Sequence, residues 1–117
     1  MNWNNFPTNY LIADDFFSSG CVLGDYNKYS ELRDLKGMKG RMLINNIEVG
    51  EGIGKDILGD PINALIWIVS RKEIIGEFLP KGSIILLGSL VQTKWLNQGD
   101  TVEVEINKLG NTKVSFV

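Results

Sequence analysis

Residues 41–76 read RMLINNIEVGEGIGKDILGDPINALIWIVSRKEIIG, and two short signals inside this stretch decide the fold. The first is Asn45-Asn46, set between Arg41-Met42-Leu43-Ile44 and Ile47-Glu48-Val49. Asn tolerates the positive φ angles of a tight two-residue turn, so Met38 to Val49 reads as a β-hairpin. The second is Asp60-Pro61. Asp at an N-cap and Pro at the first helical position start a helix, and Gly76 stops it, which predicts a helix over Pro61 to Ile75. Ile62, Leu65, Ile66, Ile68 and Val69 give it an apolar face wide enough to imply a helix gripped by sheet.

Working outward, Ser83-Ile84-Ile85-Leu86-Leu87-Gly88 is a continuous apolar run of strand length, expected to be buried on both faces. Val102-Glu103-Val104-Glu105-Ile106 alternates strictly and predicts a strand with one wet face. Lys108 to Thr112 turns the chain into a last strand, Lys113 to Phe116. Upstream, Tyr10 to Gly24 reads as a short helix or turn followed by a short buried strand over Cys21 to Gly24. Asp25 to Lys36 is a charged surface connection, and Asn2 to Thr8 is polar, aromatic and broken by Pro7. The fold class is therefore α+β: a mixed, mainly antiparallel sheet forming a roll or sandwich around one principal helix, in a single domain over 1–117.

Composition prunes the chemistry. The chain has 117 residues, 44% of them hydrophobic, enough for one domain with its own core. Its 12 basic and 14 acidic residues give a net charge of -2, without the basic excess that nucleic acid selects for. With no His, an imidazole base, a Ser-His-Asp triad and imidazole metal ligation are excluded. The single Cys21 forms no intrachain disulfide and no cysteine zinc site, and reads as a small buried apolar residue. Any metal must be a hard cation held by carboxylates. Neither a basic start with an apolar core at the N-terminus nor a run long enough to span a bilayer is present, so the expectation is a cytoplasmic protein that does not enter a membrane.

Several motifs carry a functional reading beside a plainer one. Gly50-Glu51-Gly52-Ile53-Gly54-Lys55 invites a phosphate loop, but a Walker loop needs Gly where Val49 stands and Ser or Thr where Asp56 stands. A dinucleotide fingerprint needs Gly at position 55, which is Lys. The plainer reading is a bend that lets a hairpin approach a helix. Glu103 and Glu105 share one face of a strand and have the spacing of a Mg²⁺ pair, yet Val102, Val104 and Ile106 take the other face, so the glutamates face water. Asp14-Asp15, in an apolar stretch, is either a backbone cap or a ligand contact. Gly88-Ser89-Leu90 ends a buried strand and either lines a pocket or only turns the chain.

Taken together, Asn45-Asn46-Ile47-Glu48-Val49, Gly52, Gly54, Leu58-Gly59-Asp60-Pro61-Ile62-Asn63-Ala64, Trp67, Gly76, Gly88-Ser89-Leu90 and Gly99-Asp100 resemble a known pattern. It is the C-terminal part of the 2-keto-4-pentenoate hydratase and 4-oxalocrotonate decarboxylase group, in the fumarylacetoacetate hydrolase superfamily. Leu11-Ile12-Ala13-Asp14 and Val22-Leu23-Gly24 extend the likeness upstream, and it reaches from about Trp3 to Phe116.

The resemblance implies a lyase scaffold that uses Mg²⁺ or Mn²⁺ on three carboxylates to bind a 2-keto acid and stabilise its enolate. Those carboxylates and an assisting Lys lie in a part of the family that precedes Trp3, and Glu103 and Glu105 are not their equivalents. The substrate wall is better matched: Asp14, Ser19, Gly88, Ser89 and Leu90 are the implied substrate-binding residues. Asp15 replaces a family Asn, and Phe17 takes the place of a Ser unless Ser18 or Ser19 substitutes by a one-residue shift.

The implied protein is a hydratase-like C-terminal half-domain with no catalytic or metal-binding residue, and hence no cofactor, of its own. It is a small 2-keto acid binding or structural module, a subunit of a split Mg- or Mn-dependent enzyme completed by a complementary N-terminal-half polypeptide, or a truncated product. Bared apolar surface also predicts a homo-oligomer, dimeric or higher, with Trp3, Phe6, Phe16 and Phe17 as covering residues.

Overall fold

A computed structural model describes residues 6–27 and 34–117. In chain order these form α1 (Thr8–Ala13), β1 (Lys39–Ile44), β2 (Ile47–Ile53), α2 (Pro61–Ile74), β3 (Thr101–Ile106) and β4 (Gly110–Ser115). The strands make one sheet in the order β2-β1-β3-β4, and every neighbouring pair is antiparallel. The class is α+β, one antiparallel sheet with one principal helix. No parallel pair occurs among the described strands, so the sheet is simpler than the mixed one expected.

The β1–β2 hairpin turns on Asn45 (φ 52°) and Asn46 (φ 65°), the left-handed pair the sequence requires. Asn45 also anchors the hairpin to β3. Its Nδ2 donates to Asp100 Oδ1 at 2.8 Å, its Oδ1 accepts from the Thr101 amide at 2.9 Å, and its own amide donates to the Thr101 carbonyl at 2.8 Å. The pairing of β1 with β2 slips between Met42 and Leu43, where Met42 faces Gly50 and Leu43 faces Glu48. This bulge puts Glu48 beside Arg41, on the face that Arg41 shares with Glu105.

Helix α2 starts as its sequence dictates: Asp60 Oδ1 accepts from the Ile62 amide at 2.9 Å, with Pro61 next. It closes in a Schellman motif, the Gly76 amide donating to the Glu73 carbonyl and the Glu77 amide to the Lys72 carbonyl, with Gly76 at φ 74°. Its surroundings differ from expectation. Of its residues only Pro61 is buried, and Ile66, Trp67, Val69 and Ile74 are exposed. The apolar face exists, but this chain supplies little to pack against it.

Two expected buried strands are absent as well. Cys21 to Gly24 is exposed non-strand chain, and Cys21 is a free, exposed thiol. Residues 83–88 form no strand: Ile85 and Leu87 are half-buried, whereas Ile84 and Leu86 are 60% and 73% exposed. A strand is defined by its neighbours, and neither segment has one here. The buried apolar side chains among the described residues are Leu11, Met38 and Val102.

Candidate functional site

The inner face of the sheet follows from its register. Gly40 faces Gly52 on one side and Ile106 on the other; Met42 faces Gly50 and Val104; Ile44 faces Val102. Three glycines on this face leave a groove across β1 and β2, and the chain at Leu90-Val91 runs through it. A Cβ on Gly50 would lie 2.5 Å from Val91 Cγ1, and one on Gly52 would strike the Leu90 carbonyl. The glycine-dense stretch therefore lets one chain segment cross another. The approach expected there was to a helix; the structure corrects this, because the crossing partner is residues 90–91, with Gly54 set against the Leu35 carbonyl.

Below the crossing lies a cavity of about 350 Å³, walled chiefly by Met38, Met42, Ile57, Leu87, Val104 and Ile106, with Gly88-Ser89-Leu90 along it. Gly88 holds φ 137° and sits 3.2 Å from Ile57 by its notional Cβ, so the turn has little room for a side chain. No backbone hydrogen bond engages the amides of Ser89 or Leu90 among the described residues, and Ser89 is exposed, so its hydroxyl is open to solvent. The site thus offers an apolar bed with unpaired N–H and O–H donors along one side, suited to a small molecule with an apolar stem and an anionic head.

The other predicted wall residues stand apart. Asp14 ends α1 at φ -94°, exposed, and Ser19 is exposed in the chain beyond it; neither lines this cavity. Between them Asp15, Phe16 and Phe17 have φ 51°, 52° and 62°, three successive left-handed residues without a glycine. The turn is held in part by Phe17 against Phe6, edge to face at 6.0 Å. Phe6, Phe16 and Phe17 all remain exposed, and Trp3 lies outside the described residues. The cavity walls Met38, Met42 and Ile57 escaped the sequence reading. Glycines at 50, 52 and 54, spaced by two within a strand, were the signal that something crosses that face.

The wet face carries charge. Arg41 Nε donates to Glu105 Oε2 at 2.7 Å, and its guanidinium also meets Glu48 at 3.4 Å. The bond to Glu105 and its negative charge raise the Arg41 pKa above its ordinary value. Glu103 accepts from Asn111 Nδ2 at 2.9 Å and pairs with Lys113 at 3.8 Å. Asp100 Oδ2 accepts from the Asn97 amide at 2.7 Å, and that bond, with the one from Asn45, holds its pKa below the usual carboxylate value.

A family model described as the fumarylacetoacetate (FAA) hydrolase C-terminal domain matches residues 6–117. The chain belongs to the fumarylacetoacetate hydrolase family. Within it, 2-keto-4-pentenoate hydratase 1 of Dechloromonas aromatica is 33% identical over 115 residues, which are 98% of this chain and 43% of that relative. A 4-oxalocrotonate decarboxylase of a Pseudomonas species is 33% identical over 90% of this chain and 40% of its own length. The chain thus spans about two fifths of the curated relatives it matches. The solved 4-oxalocrotonate decarboxylase of Pseudomonas putida G7, complexed with calcium and acetate, superposes with a TM-score of 0.70 at 26% identity, covering 75% of this chain and 34% of that one. A second structure of that enzyme is complexed with magnesium and adipate.

The carboxylates described in this family member do not fit such a cation. Glu103 and Glu105 are already engaged by Asn111, Lys113 and Arg41, and among the described residues no group of three His, Cys, Asp or Glu is placed to hold a metal. Nor, among those residues, is any helix long and apolar enough to cross a membrane.

Proposed function

We propose that this family member is a hydratase- and decarboxylase-like half-domain that binds a small 2-keto acid and does not turn it over alone. The observation that carries the reading is the Gly88-Ser89-Leu90 turn, which lies along an apolar cavity with its amides and hydroxyl unpaired. The carboxylate of a keto acid accepts from those donors while its alkyl stem rests on Met42 and Val104. The resemblance adds Asp14 and Ser19 to the proposed substrate contacts, although both lie outside the cavity in this structure. The solved decarboxylase relatives, complexed with acetate or adipate, support a carboxylate as the head group.

The test is a thermal-shift titration with pyruvate, oxalate and a 2-oxopentenoate analogue, with and without Mg²⁺ or Mn²⁺, followed by a turnover assay. A saturable rise in melting temperature without turnover is expected, since a ligand that binds only the folded state stabilises it. No shift with any of the three compounds overturns the binding reading, and turnover by the chain alone overturns its inactivity.

A second reading is favoured by the scarcity of buried side chains. The chain is then one subunit of a split Mg- or Mn-dependent hydratase or decarboxylase, and another polypeptide brings the metal-binding carboxylates. Turnover appearing only when such a polypeptide is added distinguishes it.

A further inference from the structure

We propose that the cavity beside Gly88-Ser89-Leu90 selects a 2-keto monocarboxylate with a long apolar tail and discriminates against both pyruvate-sized acids and dicarboxylates. The inference rests on the keto-acid reading and adds to it the class of acid, which the size and charge of the walls decide.

Size makes the first argument. The cavity measures about 350 Å³, which at roughly 30 Å³ per water-sized group is room for about twelve non-hydrogen atoms. A 2-keto acid head, with its three oxygens and two carbons, takes about five of these places and leaves about six or seven for the tail. Pyruvate has a single methyl beyond the head and leaves about half of the space unfilled, so much of the lining gains no contact from it. An acid of about eight carbons fills the cavity.

The walls make the second argument. Met38 is buried, and Met42, Ile57, Leu87, Val104 and Ile106 are half-buried around the space. These side chains are aliphatic or thioether, and the two methionines adapt to a bent or branched tail. Charge makes the third argument. Among the described residues that line the cavity, Arg41 alone is charged, and its guanidinium is held on the wet face by Glu105 at 2.7 Å and Glu48 at 3.4 Å. A second carboxylate at the far end of a ligand therefore meets no free cation among the described walls, and an unpaired carboxylate on an apolar bed is costly. The head group escapes that cost, because the Ser89 and Leu90 amides, engaged by no backbone hydrogen bond among the described residues, lie along one side.

The test is a calorimetric and thermal-shift titration of the full chain with straight-chain 2-keto monocarboxylates from pyruvate to 2-oxodecanoate, and with the dicarboxylate 2-oxooctanedioate. Affinity should rise about three- to fourfold with each added methylene up to about eight carbons, then level off or fall once the cavity is full. 2-Oxooctanedioate should bind about tenfold or more weakly than 2-oxooctanoate. Val104→Phe narrows the cavity and should shorten the best-bound chain by about two carbons; Met42→Phe serves if that variant does not fold. Acids held on an exposed apolar face such as that of α2 would not respond to either change, so a folded variant with an unaltered chain-length profile overturns the proposal. Equal affinity for pyruvate and 2-oxooctanoate, or for 2-oxooctanoate and its dicarboxylate, overturns it too, while leaving the keto-acid reading in place. Absence of binding by every acid in the series overturns both.

Discussion

Asn45 does three things at once. It supplies a left-handed turn residue, donates to Asp100 and accepts from the Thr101 amide, so a single side chain fixes both the hairpin and the entry of β3. Asn45→Ala removes two hydrogen bonds and forces a Cβ-bearing, non-hydrogen-bonding residue to hold φ 52°. Its expected cost is about 2–3 kcal/mol, read as a lower urea midpoint with an unchanged slope. Asp100, on the other side of that bond, ties stability to pH. Its pKa is lowered in the folded chain, first by the Asn97 amide and then by Asn45, so the folded state favours the ionised form. The stabilisation is therefore complete above the unfolded-state pKa, near 3.8, and is lost as pH falls through the lower folded value. Melting temperatures from pH 6 down to pH 2 should fall in that acidic window, and Asp100→Asn should flatten this part of the profile. An equally steep decline in the variant would remove Asp100 as its source.

Among elements, the crossing of residues 90–91 over β2 is a close and unforgiving fit. Gly52→Ala drives a methyl into the Leu90 carbonyl, a backbone atom that retreats only if the whole crossing lifts off the sheet. The expected loss is about 2–3 kcal/mol, with the cavity beside Gly88-Ser89-Leu90 opened, whereas Gly59→Ala meets no neighbour and is limited to the strain of its positive φ. Equal melting temperatures for Gly52→Ala and the unaltered chain would disprove the close crossing. Elements of this kind separate what the sequence tells from what it hides. The hairpin and α2 were legible because their signals are local: Asn45-Asn46, the Asp60-Pro61 cap and the Gly76 stop each act within a few residues. Residues 83–88 were legible as extended and apolar, but a strand also needs a neighbour, and no local pattern reveals that the neighbour is lacking. The wet face of β3 followed from alternation alone, while the bulge that brings Glu48 to Arg41 depends on pairing and was invisible. In the site, Gly88-Ser89-Leu90 lies along a cavity, one of the two placements its position allowed, and its binding role belongs to the proposal. Asp14 and Ser19 lie outside it, on either side of three successive left-handed residues, and Phe16-Phe17 is no ordinary signature of such a turn.

At the scale of the whole molecule, the sheet is well formed and the core is thin. Capped helix, tight hairpin and ion-paired outer face are those of a complete domain, yet the apolar side chains of α2 and residues 84 and 86 face outward. That combination of a well-formed sheet and outward-facing apolar side chains occurs in a chain that spans about two fifths of its relatives' length. It has a thermodynamic signature. An unfolded chain of 13.1 kDa exposes roughly 19,000 Å², so this fold removes only about half of it, where a compact domain of the same size removes about two thirds. Denaturant slopes scale with the area exposed on unfolding. The urea slope should be about three quarters of the value for a compact domain of this length. A slope of full compact value would mean that α2 and residues 83–88 close onto the sheet unaided in solution.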